Sequence, residues 1–240
     1  MPPIPAHLTQ MFIALIAAVA ALFVSAQSRL AGETPAERRR GSFAGMLVVG
    51  TWLTVPGVLA ARGALSDFSR VPPPFALLML CILAATLALA FSPLGTRLSM
   101  RAPIAWLVGY QVFRAPLEYW LHAMYENGSL PVQITWSGRN FDVITGALAL
   151  PVAALATRMP RPRALIAAWN WLGFALLVNV VTTALLSLPT PLRVFRNDPS
   201  TALVATIPFI WLPAFLVQAA LFGHVLVWRW LAQARRATTP

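Results

Sequence analysis

Seven long apolar runs, separated by short polar stretches rich in proline and arginine, account for most of the chain: roughly Leu8 to Ser28, Phe43 to Ala61, Phe75 to Leu94, Pro103 to Tyr125, Phe141 to Thr157, Ala164 to Leu188 and Ala202 to Trp230. Each approaches or exceeds the ~20 residues a helix needs to cross a hydrocarbon layer about 30 Å thick. Backbone groups in lipid are satisfied only within helices or closed barrels, and none of these runs shows the period-two alternation of a barrel strand. The pattern predicts an all-α integral membrane bundle of seven transmembrane helices. It is read as a single domain over residues 1–240, with too little chain left over for a soluble one. Proline clusters at Val71 to Pro74, Met159 to Pro162 and Leu188 to Pro191 mark loops, because a fixed φ and a missing amide stop helices. No internal repeat is visible, which weighs against an inverted-repeat transporter.

Composition agrees with the pattern. Of 240 residues, 58% are apolar and only 10% charged, and the mean hydropathy is +0.71. All 18 basic residues are arginine, so no ε-amine exists for a retinal or pyridoxal Schiff base or for a Walker-type phosphate lysine. The formal charge of +11 does not point to nucleic acid, because the arginines sit in short clusters beside apolar runs rather than on one face. They read instead as topology signals. With the N-terminus outside and the C-terminus cytoplasmic, the inner segments hold twelve arginines: Arg29, Arg38 to Arg40, Arg97, Arg101, Arg158, Arg161, Arg163, Arg229, Arg235 and Arg236. The outer segments hold five: Arg62, Arg70, Arg139, Arg193 and Arg196. The positive-inside rule favours that orientation. Val24-Ser25-Ala26 resembles a cleavage site, but cleavage there would invert the bias, so the first run is read as an uncleaved helix. Cys81, the only cysteine, excludes an intrachain disulfide and a thiolate metal cage. Trp106, Trp120, Trp169, Trp171, Trp228 and Trp230 fall near predicted interfaces as anchors, whereas Trp52 and Trp211 lie deeper and read as packing residues.

The candidate chemistry is concentrated in the fourth run. Gln111, Arg114, Glu118, His122 and Tyr125 share one helical face. A guanidinium near the middle of a span requires a partner, and Glu118, one turn away, is the expected one. Pro116 lies between them and predicts a kink. The loop that follows contains Ile134 and Trp136, which predict a segment folded back onto the bundle, and then Arg139, Asn140 and Asp142 on the same outer side as His122. Asn140 is placed as the N-cap of the fifth helix. The expected site is an outward-facing polar pocket around Arg114, Glu118, His122, Arg139, Asn140 and Asp142.

The run Phe113-Arg114 to Glu118, followed by Leu130-Pro131, Ile134-Thr135, Gly138-Arg139-Asn140-Phe141-Asp142 and Gly146, resembles a group of uncharacterised bacterial multi-pass membrane proteins over about 35 residues. The resemblance implies a multi-pass protein of the bacterial inner membrane and carries no activity with it. Three readings of the polar stripe stand side by side. In the first it is a pocket that binds or transports a small anionic or amphipathic ligand, with Asn170, Asn179, Thr182, Thr183, Gln218 and His224 as candidate lining. In the second it is the site of a membrane-embedded enzyme acting on a lipid-type substrate, by acid/base chemistry or with a metal on Glu118, His122 and Asp142. In the third reading it is only an ion pair that fixes helix packing in a structural or assembly protein. Bilayer lipid is the one expected partner common to all three.

Overall fold

The computed structural model describes residues 2–160 and 162–236, the last three by their backbone alone. Arg161 and the side chains of Arg235 and Arg236, which entered the orientation count, lie outside the described residues. The described chain is helical, with no strand. It runs α1 (Ala6–Ala31), α2 (Pro35–Ala61), α3 (Pro74–Phe91), α4 (Pro93–Arg101), α5 (Ile104–Gly109), α6 (Arg114–Glu126), α7 (Val143–Arg158), α8 (Arg163–Leu185) and α9 (Val217–Arg236). Five helices are long and apolar enough to cross a membrane: α1, α2, α3, α8 and the stretch Leu212–Gln233 that contains most of α9. The other two predicted spans are helical but different in kind. α7 is only 16 residues long. The fourth run forms two α-helices, α5 and α6, joined by a 3₁₀ turn at Tyr110–Phe113. Pro116 accounts for the break, because its ring crowds the preceding turn and it offers no amide to that turn.

Local chemistry sets the corners. Thr34 caps α2 in a capping box: its Oγ1 accepts from the Glu37 amide at 3.2 Å, and Glu37 accepts from the Thr34 amide at 3.0 Å. α1 and α2 then form a close antiparallel hairpin, in which a Cβ at Gly45 would lie 3.3 Å from the Val24 Cα. Ser92 ends α3 and caps α4, whose Leu98 and Ser99 are buried while Arg97 and Arg101 are exposed. Arg229 on α9 donates to the Ala90 carbonyl and, at 2.7 Å, to Thr96 Oγ1, satisfying the end of α3 and fixing α4 against α9.

Two segments fold inward. The loop Asn127–Asp142 buries Leu130, Ile134, Thr135 and Asn140, as Ile134 and Trp136 led one to expect. Gly138 permits this, since a Cβ there would strike the Val132 carbonyl oxygen. The run expected to begin a helix at Ala202 instead forms a short 3₁₀ helix at Thr201–Ala205, a turn, and a π-helical turn at Leu212–Leu216. Pro208 and Pro213 deny that stretch a continuous ladder. Most of this irregular stretch is buried, with Phe209 against Phe12 and Trp120 at centroid distances of 5.7 Å each, while Thr206 and Ile207 are exposed.

Indoles lock this arrangement. Trp52 Nε1 donates to Ala214 O at 2.7 Å and Trp211 Nε1 to Leu53 O at 2.9 Å, a reciprocal pair joining α2 to the π turn. Both residues therefore pack as expected. Trp120 and Trp169 do not act as interfacial anchors: both are buried, Trp120 donating to Leu8 O at 2.9 Å and Trp169 to Thr145 O at 3.3 Å. In each case a deep backbone carbonyl satisfies the indole N–H that an anchor would give to water.

Candidate functional site

Arg114 opens α6 directly after the 3₁₀ turn, with 1% of its surface exposed. Its partner is Asp142, not Glu118. The guanidinium engages the Asp142 carboxylate bidentately, Nε donating to Oδ2 at 2.7 Å and Nη2 to Oδ1. The helical spacing that aligns Arg114 with Glu118 sets only a shared face. Asp142, brought in from the loop at the start of α7, meets the planar fork head-on and takes two bonds. The remaining Arg114 contacts run to Gly173 O on α8 at 3.1 Å and to His224 Nε2 on α9 at 2.8 Å. Arginine can only donate, so Nε2 accepts and the ring proton sits on Nδ1, which faces Asn170 Oδ1 at 2.8 Å. Asn170 Nδ2 in turn donates to His224 O at 3.2 Å. One cation thus draws α6, α7, α8 and α9 to a point.

Small residues make this approach possible. A Cβ at Gly146 on α7 would collide with the Ala115 backbone nitrogen, and one at Gly173 would lie 2.8 Å from His224 Cε1. Thr145 Oγ1 donates to Asp142 Oδ1 at 3.2 Å, completing that carboxylate's shell.

Glu118 joins through an intermediary. Asn140 Nδ2 donates to Glu118 Oε2 at 2.6 Å and to Ile134 O at 3.0 Å, while its Oδ1 accepts the Asp142 amide at 3.0 Å. Asn140 is therefore not the N-cap of α7, a position held by Asp142 without a side-chain bond. It sits two residues earlier, in an Asx-type turn that fixes the Asp142 backbone.

Four of the six expected site residues, Arg114, Glu118, Asn140 and Asp142, are thus gathered and buried. The other two lie elsewhere. His122 is half-buried and stacks on Trp136 at 4.3 Å, with Glu126 3.5 Å from its Nε2. Arg139 is exposed, with its guanidinium over Phe195 at 5.6 Å. Among the described residues no three His, Cys, Asp or Glu side chains gather to hold a metal ion, so Glu118, His122 and Asp142 do not form the metal site considered from sequence.

His224 is the member of the cluster that the sequence pattern marks least. With a span drawn from Ala202 to Trp230 it falls near the inner end, whereas in the helix Leu212–Gln233 it occupies the middle. The side chains of the polar cluster are buried and bonded to one another. A cavity of about 580 Å³ lies beside it, bounded by α1, α2, α3, α4, α5 and α9. Its wall is almost wholly apolar, and its interior polar groups are already bonded to protein. Tyr110 Oη donates to Ala219 O at 2.6 Å, and Thr86 Oγ1 donates to Gln218 Oε1 at 2.8 Å.

Residues 72–232 match the profile of a family described as "Domain of unknown function (DUF8737)". The chain belongs to this family. The matched segment contains the whole Arg114 cluster and, of the cavity, every wall except α1 and α2. No match emerged among curated proteins or among solved structures.

Removing one member of a buried ion pair leaves the other charge uncompensated, at about 3–5 kcal/mol, whereas a single neutralised hydrogen bond costs about 1 kcal/mol. Asp142→Asn is therefore expected to lower thermal stability in detergent far more than Glu118→Gln. The reverse order would restore Glu118 as the partner of Arg114.

Proposed function

We propose that this family member is a seven-span protein of a bacterial inner membrane, N-terminus outside and C-terminus cytoplasmic, that takes up an acyl-chain amphiphile from the bilayer into the cavity beside α1. Five long apolar helices support the membrane setting. The broken rod α5–α6 and the shorter α7 supply the two further crossings, and the arginines at the end of α1, at the start of α2, in α4, at the end of α7 and on α9 then fall together on the cytoplasmic side. The resemblance to bacterial multi-pass proteins supports the choice of membrane.

The observation that carries the ligand reading is the cavity's shape and chemistry. It follows α1 from Val19 to Arg29, ten residues and hence about 15 Å, half of a ~30 Å hydrocarbon core and so the depth of one leaflet. Its volume of about 580 Å³ lies within the usual range of small-molecule sites. With its interior polar atoms already paired, the wall offers contact to hydrocarbon rather than to a polar solute. Exposed Leu22, Trp106 and Leu150 line the rim, which gives a chain lateral entry from lipid.

The closed cluster around Arg114 favours the packing reading for the polar stripe itself. In this account it holds α6–α9 in register and forms the firm back wall of the binding cavity.

Two measurements test these proposals. Methyl dibromostearate, a neutral acyl probe, is expected to quench the fluorescence of Trp52 and Trp106 in purified protein, and Ala26→Phe or Ala105→Phe, which fill the cavity, to remove most of that quenching. Quenching unaffected by either substitution would remove the ligand reading. Alkaline phosphatase fused after Asn127 or Pro189 is expected to be active and after Met159 inactive; the opposite pattern would reverse the orientation.

A further inference from the structure

The cavity is apolar from mid-depth to the arginine-rich end of the bundle, and there it meets one cation. Arg29 in the last turn of α1 and Ser25 one turn before it both line the cavity and are exposed at its rim. The Arg29 guanidinium lies over the Trp106 ring, 5.2 Å from its centroid, and Trp106 belongs to the same rim. Among the described residues Arg29 makes no ion pair. Of the two acidic residues that follow it, Glu37 in the first turn of α2 is spent on the Thr34 cap, and Glu33 in the α1–α2 turn forms no ion pair among the described residues. Arg29 makes no hydrogen bond to protein among the described residues, so its N–H donors stay available, and a guanidinium's fork of donors matches a carboxylate or phosphate.

We propose that the occupant of the cavity is an anionic acyl amphiphile, whose carboxylate or phosphate head is bound by Arg29 and Ser25 beside Trp106 while its chain runs inward toward Trp52. The inference rests on the reading of the cavity as an acyl-chain site and adds the chemistry of the head. Three features converge on it: the single charged residue in the lining is a cation, it stands at the end where an acyl chain of that leaflet would present its headgroup, and an aromatic face already holds it at the rim. A head with no anionic group would leave the Arg29 edge unmatched.

The test uses the full chain in a non-ionic detergent with three probes that share one dibrominated stearoyl chain: the free carboxylate, the lysophosphatidate and the methyl ester. Arg29→Gln is expected to leave quenching by the ester unchanged and to raise the half-saturating concentration of the anionic probes about fivefold, the worth of one arginine against an anionic headgroup. The anion with the larger rise identifies the head. In the unsubstituted protein, added salt should weaken the anionic probes and spare the ester, a result that needs no variant to fold. Equal half-saturation of the anions with and without Arg29, or anion binding indifferent to salt, overturns the headgroup assignment while leaving the acyl-chain reading in place. Ester quenching that persists in Ala26→Phe and Ala105→Phe overturns both.

Discussion

The Arg114 guanidinium, closed on the Asp142 carboxylate inside the helical bundle, is the interaction around which the rest is arranged. A buried charge in a poorly solvated interior is costly unless its donors and its counter-ion are met, and here α7, α8 and α9 each supply part of the shell. That requirement extends outward through the sequence. Gly146 and Gly173 must lack side chains for the helices to come close enough, Asn170 must present the oxygen that fixes the His224 tautomer, and Asn140 must hold the backbone that delivers Asp142.

The same stretch of chain serves two surfaces. Tyr110, which opens the 3₁₀ turn, faces the apolar cavity, and Arg114, which follows that turn, faces the ionic cluster. On the opposing helix Ala219 and Phe222 line the cavity while His224 belongs to the cluster. The back wall of the cavity is therefore fixed by hydrogen bonds that pass directly behind it. Its exposed rim, by contrast, carries Leu22 of α1, Trp106 of α5 and Leu150 of α7 beside Ser25 and Arg29. Under the proposed acyl-chain reading, the hydrogen-bonded floor would set the depth of the site and this margin would admit the chain.

Much of this was legible in the chain itself. Apolar runs marked every long helix, Pro116 marked the break in the fourth, and Ile134 with Trp136 marked the loop that folds inward, because each of these signals is local. The identity of Arg114's partner was not. Spacing along a helix favoured Glu118, but a residue 28 positions away, delivered by a loop, offers a better approach to the planar fork. The position of His224 was obscured for a related reason: Pro208 and Pro213 displace the start of the last long helix, and with it the depth of every residue that follows. The cavity left the faintest trace, since a void is a property of how helices lean together and no single residue type encodes it.

The most direct measurement is a pair of double-mutant cycles on unfolding in detergent, one joining Arg114→Leu with Asp142→Leu and the other joining Arg114→Leu with Glu118→Leu. A coupling of about 2 kcal/mol or more is predicted for the first pair and less than about 0.5 kcal/mol for the second. Additive effects of Arg114 and Asp142, or a stronger coupling of Arg114 to Glu118, would contradict the account.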